Sequence, residues 1–247
     1  MALLPSLIAH RGESADYPEN SLTGISAALD AGADGVEFDI QFTGDGHPVV
    51  LHDRDLRRTG GVSRFIDDYN ADHVRQGHLP AHEPDRFGER FLGECVPSLG
   101  TVVSSIKAHP NTGARIFVEL KTETATAIGA NTAVRRVLQA CEDLGDRLTV
   151  IGFDAGMLRT ARSMGAATVG WVVSLSSTLD REQAQVMVPD YLIADRGGVK
   201  TAGAGLWQGP WRWLIYEVNT VAEAQHLASG GAWGVETHSV RRLREAQ

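Results

Sequence analysis

The chain has 247 residues, 43% of them hydrophobic, and a formal net charge of -8; the length suits one large domain or two small ones, and the composition suffices for a sizeable core. A negative balance with no offsetting basic stripe argues against nonspecific nucleic-acid binding, and no apolar run reaches the roughly 18 residues of a membrane span. Cys95 and Cys141 are the two cysteines and suggest no disulfide framework; the stretch Met1 to Ala9 lacks the basic leader of a signal peptide, so a cytoplasmic enzyme with reduced thiols is the simpler reading.

Leu7 to Ala9 reads as a short buried strand that delivers His10, Arg11 and Gly12 at its C-terminal tip. Asn20 or Ser21 caps a helix whose apolar positions Leu22, Ile25, Ala28 and Leu29 recur at helical spacing and which ends at Gly32. The strand Gly35 to Ile40 follows, and its period of two sends Glu37 and Asp39 to one face. Adjacent carboxylates repel, and the usual remedy is a hard divalent cation, Mg2+ or Ca2+, which prefers oxygen ligands.

Pro48 to Leu51 is a third strand, ending in His52 and Asp53 and joined to the second only by Gln41 to His47. That link is too short for a parallel crossover of about a dozen residues, so the two strands form an antiparallel hairpin through the Gly-containing turn. A turn centred near residues 44 to 47 folds His52 back beside Asp39. Two histidines and two carboxylates then meet at one barrel mouth.

Residues 54 to 95 are polar and punctuated by Gly60, Gly61, Pro80, Pro84, Gly88 and Gly93, unsuited to barrel strands and read as a small irregular insertion. His78 and His82 have i, i+4 spacing, but Pro80 between them rules against a regular helix, and both read as surface residues. Beyond the insertion come a helix from Leu99 to Ile106, a strand Arg115 to Leu120 leading to Lys121, a long helix Ala125 to Leu144, and a strand Leu148 to Phe153. A helix Ala155 to Met164, a strand Thr168 to Val173, a short helix Arg181 to Val186 and a strand Tyr191 to Ala194 follow. The strand Trp213 to Tyr216, the helix Val221 to Ser229 and the strand Trp233 to Glu236 complete the order.

Nine strand candidates appear, and the hairpin removes 48 to 51 as an ordinary parallel member. Eight remain. They predict an α/β protein, a single (β/α)8 TIM barrel over residues 1 to 247 with an antiparallel hairpin after the second strand. Active sites of that fold lie at the C-terminal ends of the strands, where His10, Glu37, Asp39, Glu119, Lys121, Phe153 and Glu217 fall. A doubly wound open sheet would want a G-x-G-x-x-G loop after the first strand, and none occurs.

The order and spacing of His10-Arg11-Gly12 with Glu19-Asn20, of Glu37-x-Asp39 and of His52-Asp53 resemble the glycerophosphodiester phosphodiesterase family, whose signature is HRG followed by EN, an E-x-D pair and an HD. The similarity continues through Asp55-Leu56-x-Arg58-Thr59, through Val96-Pro97-Ser98-Leu99 and through Val118-Glu119-Leu120-Lys121, and thins after about residue 125. The resemblance implies a metal-dependent hydrolase that converts a glycerophosphodiester to sn-glycerol 3-phosphate and an alcohol. On that basis Glu37, Asp39 and Glu119 hold one Mg2+ or Ca2+, Arg11 and Lys121 hold phosphate charge, and His10 and His52 are the general acid/base pair. Either water or a neighbouring substrate hydroxyl is the first nucleophile. A lysophospholipase D-like enzyme would use the same site on lysolipids. The small-molecule diester is the expected partner, with the oligomeric state left open.

Two departures from the family pattern stand out. W-T-V-N appears as Tyr216-Glu217-Val218-Asn219, and G-[IV]-x-T-D appears as Gly234-Val235-Glu236-Thr237-His238. Glu217 reads either as a strand-end carboxylate, paired to an Arg or capping the next helix, or as a charge favouring a cationic headgroup. Phe153, Trp171 and Tyr216 sit near strand ends and could wall the alcohol side of the substrate. The Trp-rich loop Gly203 to Trp213 reads as packing rather than lipid contact.

Overall fold

The computed structural model describes residues 4–111, 113–201 and 205–247. The strands are β1 (Ser6–His10), β2 (Gly35–Phe42), β3 (Pro48–Val50), β4 (Asp55–Leu56), β5 (Val62–Phe65), β6 (Arg115–Leu120), β7 (Leu148–Gly152), β8 (Val169–Val172), β9 (Tyr191–Asp195), β10 (Arg212–Tyr216) and β11 (Ala232–Thr237). Eight of them, in the order β1, β2, β6, β7, β8, β9, β10, β11, pair in parallel and close back onto β1. This is the (β/α)8 barrel expected from the strand count. β3 lies outside the ring, antiparallel to β2, with Ile40 opposite Val50 and Phe42 opposite Pro48.

Parallel barrel strands are covered on both faces and read as nearly continuous apolar runs; all eight residues of β2 are buried. Ile8, Phe117, Ile151, Val172, Tyr191, Ile193 and Leu214 fill the inside. The larger core lies between the outer face and the helices, for instance Val36, Phe38 and Ile40 against Ile25, Val102 and Ile106. Helices Leu22–Asp30, Leu99–Ala108, Ala155–Ser163, Thr178–Met187 and Val221–Ser229 each begin on a side-chain cap, from Ser21, Ser98, Asp154, Ser177 and Thr220 in turn. The C-terminal helix Val240–Glu245 is tied to the β1 loop by Glu13, whose carboxylate accepts from Ser239 Oγ at 2.5 Å and from Val240 N at 3.0 Å.

Two expected helices change. The stretch 125 to 144 is not one helix: Gly129, at φ +88°, separates Thr122–Ala127 from Ala130–Ala140, and a 3-10 segment Glu142–Arg147 follows. An interior glycine lowers the barrier to a left-handed break, and here the chain takes it. The helix expected over 181 to 186 begins earlier, because Ser177 accepts from Asp180 N and starts it at Thr178.

The insertion has its own small core. Leu56, Ile66, Val74, Leu79 and Ala81 pack on Val49 and Leu51 of the hairpin and on Val96, with β4 and β5 as a two-stranded ribbon. His78 is exposed as expected, whereas His82 is half-buried, and neither joins a metal-competent cluster among the described residues. In the Trp-rich loop, residues 203 and 204 lie outside the described residues. Trp207, Trp211 and Trp213 are buried, and the indole N–H groups of the last two donate to Trp207 O. No helix among the described residues is long and apolar enough to cross a membrane.

Candidate active site

Local backbone geometry explains why the first motif has its particular letters. After β1 the chain reverses through Arg11 at φ +59° and Gly12 at φ +82°. A side chain at Gly12 would put its Cβ 2.7 Å from the backbone carbon of Gly24, so only glycine lets this turn cross the start of the first helix. Arg11 N donates to Glu37 O at 3.0 Å, which ties the turn to β2. The loop then returns through Asn20, whose N donates to Arg11 O. The Asn20 side chain clasps Asp39 on both sides, Nδ2 donating to Oδ2 at 2.9 Å and Oδ1 accepting from Asp39 N at 3.2 Å.

The hairpin performs the folding-back expected of it. Leu51 N donates to Asp39 O at 2.9 Å and Gln41 Nε2 to His52 O at 2.8 Å, so His52 stands over β2. Its Nδ1 pairs with Asp53 Oδ1 at 2.6 Å. The hydrogen bond from His52, reinforced by Arg58 at 2.8 Å, holds the Asp53 carboxyl well below its ordinary range against the effect of burial. A proton on Nδ1, fixed by that carboxylate, leaves Nε2 as the ring nitrogen available for transfer.

β6 lies alongside β2 with Asp39 opposite Glu119, and Lys121 extends the same face. Lys121 Nζ bridges Asp39 Oδ1 at 2.8 Å and Glu119 Oε1 at 2.5 Å, and Arg11 Nε lies 3.2 Å from Asp39 Oδ2. Burial opposes ionisation of Asp39, but Lys121 and Arg11 keep it a carboxylate far below its usual range. Glu37 and Glu119 shift the other way: burial raises both, and the charge of Asp39 adds to the effect. Glu37, Asp39 and Glu119 each offer an oxygen within 4.8 Å of the others, and Glu37 Oε1 has no hydrogen-bond partner. Three buried carboxylates, one with an orphan oxygen, suit a hard divalent ion.

His10 is almost fully buried, and its pKa falls well below the usual histidine value, from burial first and the nearby Arg11 charge second. Both effects favour the neutral imidazole over the charged one. Glu236, on β11, lies outside the charged motifs of the sequence, although the alternation Gly234, Glu236, His238 places it on the inward face with a charge in an apolar strand. Its carboxylate is 3% exposed, lies 3.9 Å from His10 Nε2, and is pushed up to about 8 by burial and by Glu119 and Asp39. His238, where the family pattern has Asp, lies with its ring centre 5.1 Å from that of His10 and its Nδ1 3.0 Å from Ser14 Oγ.

The insertion braces this assembly. Arg58 grips Glu19 with two 2.7 Å hydrogen bonds, Glu19 N donates to Glu83 Oε1 at 2.5 Å, and Arg86 donates to Ser14 O at 2.7 Å. Glu83 and Arg86 carry no sequence signal, because their partners are set by the path of an irregular segment.

Two clefts open beside the carboxylates. One of about 430 Å³ is lined by His52, Asp53, Glu119, Lys121 and Phe153. The other, about 420 Å³, lies over β7 to β10 and is lined by Phe153, Trp171, Leu175, Asp195 and Tyr216 among others. Phe153 is 56% exposed and stands between them, Trp171 Nε1 donates to Phe153 O at 3.0 Å, and the Tyr216 phenol is pushed up to about 12 by burial and by Asp195. Glu217 is exposed at φ +64°, is not among the lining residues of either cleft, and does not cap the following helix, which Thr220 caps. Thus the structure gathers His10, Arg11, Glu37, Asp39, His52, Glu119 and Lys121 at one mouth, puts Phe153, Trp171 and Tyr216 beside it, and leaves Glu217 on the rim.

Solved structures share this architecture. A phosphodiesterase from Oleispira antarctica, in complex with the product sn-glycerol-3-phosphate, superimposes with a TM-score of 0.81 at 23% identity, over 98% of this chain and 96% of that one. A glycerophosphodiester phosphodiesterase from Thermotoga maritima gives 0.73 at 21% identity over the whole of both chains. Among curated relatives, glycerophosphodiester phosphodiesterase of Caldanaerobacter subterraneus is 41% identical over 100 residues, 40% of each protein. That of Bacillus altitudinis is 30% identical over 155 residues, 63% of this chain and 60% of the relative. The matched part of this chain thus spans about two fifths to three fifths of these relatives. The family model described as glycerophosphoryl diester phosphodiesterase matches residues 10–204, from His10 on β1 past the carboxylates of β2 and β6 and on beyond β9. A match of that extent over motifs that converge on one barrel mouth means that the chain belongs to the glycerophosphoryl diester phosphodiesterase family.

Proposed function

We propose that this protein is a metal-dependent phosphodiesterase that hydrolyses glycerophosphodiesters to sn-glycerol 3-phosphate and an alcohol. The observation that carries the reading is the convergence of Glu37, Asp39 and Glu119 with Arg11 and Lys121, flanked by His10 and the His52–Asp53 pair. The relatives carry the glycerophosphodiesterase name, so the lysolipid reading is not favoured. Free thiols at Cys95 and Cys141 support a reducing, cytoplasmic setting.

Phosphodiester cleavage requires neutralised phosphoryl oxygens, a deprotonated nucleophile and a protonated leaving alkoxide. Glu37, Asp39 and Glu119 would hold one Mg2+ or Ca2+, which supplies Lewis-acid polarisation of a phosphoryl oxygen. Arg11 and Lys121 hold the remaining phosphate charge, Arg11 with its planar fork of donors. His10 and His52 divide proton acceptance and donation. The buried neutral imidazole of His10 suits acceptance, and Asp53 holds the His52 ring in one tautomer for the complementary step. Phe153, Trp171 and Tyr216 wall the side on which the alcohol leaves.

The test is release of glycerol 3-phosphate from glycerophosphocholine, glycerophosphoethanolamine and glycerophosphoglycerol with Mg2+, with Ca2+ and with chelator. Metal-dependent release is expected. No release from any of the three under any condition would sink the reading and bring lysolipids forward.

A further inference from the structure

Glu236 has no part in the reaction outlined above, yet it is 3% exposed inside the barrel mouth. β11 brings it there by pairing in parallel with β1, Ile8 opposite Glu236, while β2 pairs on the other side of β1 with His10 opposite Glu37. His10 Nε2 consequently lies 3.9 Å from Glu236 Oε2 and 3.9 Å from Glu37 Oε2. One ligand atom from each of the three residues falls within 4.8 Å of the other two. All three side chains are more than nine-tenths buried, and Glu37 Oε1, Glu236 Oε1 and His10 Nδ1 find no hydrogen-bond partner. Leaving the two carboxylate oxygens unpaired costs about 1–3 kcal/mol each, more when charged, and a cation held between both carboxylates and His10 Nε2 would relieve that cost.

The chemistry of this cluster differs from that of its neighbour. Glu37, Asp39 and Glu119 present oxygen alone and suit Mg2+ or Ca2+. His10, Glu37 and Glu236 present one imidazole nitrogen and two carboxylates, a donor set that favours a transition ion such as Zn2+. The spacing of 3.9 Å from nitrogen to each carboxylate is short enough for one ion to bridge with bonds of about 2.0–2.2 Å. We propose that His10, Glu37 and Glu236 form a second cation seat, selective for a transition ion such as Zn2+, which shares Glu37 with the first seat and silences the enzyme when filled. Silencing follows because coordination takes the Nε2 lone pair of His10, the group that accepts the proton. This last step rests on the proposed reaction; the existence of the seat does not.

Calorimetric titration of the Ca2+-saturated protein with Zn2+ decides the matter. One further equivalent of zinc should bind, and Glu236→Gln and His10→Ala should each weaken it at least about tenfold, in line with loss of one ligand of three, with melting curves confirming that both variants are folded. Glu119→Gln should keep it. Glycerol 3-phosphate release by the wild type should fall as the zinc equivalent binds, and excess Ca2+ should not restore it. Zinc held as tightly by Glu236→Gln and by His10→Ala as by the wild type, or zinc that merely displaces calcium one for one, would overturn the seat. Zinc bound without loss of rate would overturn the silencing. A protein inactive without zinc would count against the hydrolase reading, while the titration would still report on the seat.

Discussion

On the β1–β2–β6 side of the barrel mouth Asp39, Glu119, Glu19, Arg11 and Lys121 are each held by a partner of opposite charge, whereas the β7–β10 side is walled by aromatic and aliphatic groups with few such ties. Asp39 alone takes Lys121, Arg11 and Asn20. Phe153, by contrast, stands 56% exposed between two clefts. If the proposed reaction holds, the difference is a division of labour. Chemistry at phosphorus needs charges fixed to a fraction of an ångström, while an alcohol of varying size needs only a wall it can lie against.

The sharpest way to break that comparison is to remove the groups assigned to proton transfer. His10→Ala and His52→Ala should each lower kcat/KM by at least about 100-fold, the usual scale of general acid-base catalysis, with unchanged melting curves. Wild-type turnover in both variants would dissolve the distinction between the two sides. The next effect is on metal. Glu119→Gln should raise the Mg2+ or Ca2+ concentration needed for half-maximal activity at least about tenfold, because one carboxylate of three is lost. An unchanged metal titration would take Glu119 out of the ligand set.

Smaller again is the effect of Asp53. Its folded pKa is depressed, chiefly by the hydrogen bond from His52 and also by Arg58, so its contribution is present above the unfolded value of about 3.9 and is lost as pH falls through the folded one. Asp53 is partly solvent-exposed, so the contribution is at most about 1 kcal/mol. Urea melts should show Asp53→Asn less stable than wild type near neutral pH, with the gap narrowing between about pH 5 and pH 2. A gap constant over that range would assign the loss to packing rather than charge. The same variant should lose about tenfold in rate if ring orientation is what Asp53 supplies.

The same contrast explains what could be read in advance. The charged side was legible because strand alternation is exact: Glu37 and Asp39 had to share a face, and a seven-residue link could only make a hairpin that returned His52 to Asp39. The barrel was legible because its strands are apolar runs divided by capped helices. The bracing by Glu83 and Arg86 was not, since it depends on an irregular insertion whose path no periodicity encodes. Nor was the break at Gly129, where a single left-handed glycine decides against helical propensity on both sides. Glu236 lay in between. Its inward position follows from alternation in β11, but its neighbour is His10, more than 200 residues away in the chain, and only closure of the ring brings them together.

The smallest effects belong to the aromatic side. Tyr216 lines the β7–β10 cleft together with Asp195, so Tyr216→Ala should raise KM for glycerophosphodiesters severalfold, with kcat changing less, the pattern of lost ground-state contact. Glu217 is exposed on the rim and outside the lining of that cleft. A carboxylate exposed to water is screened to a fraction of its value. Glu217→Gln should therefore shift the ratio of kcat/KM for glycerophosphocholine over glycerophosphoglycerol by less than about twofold. A larger fall in that ratio would give the exposed carboxylate a part in choosing a cationic headgroup, and the wall of the cleft would then extend past Tyr216 to a residue that the free protein holds in solvent.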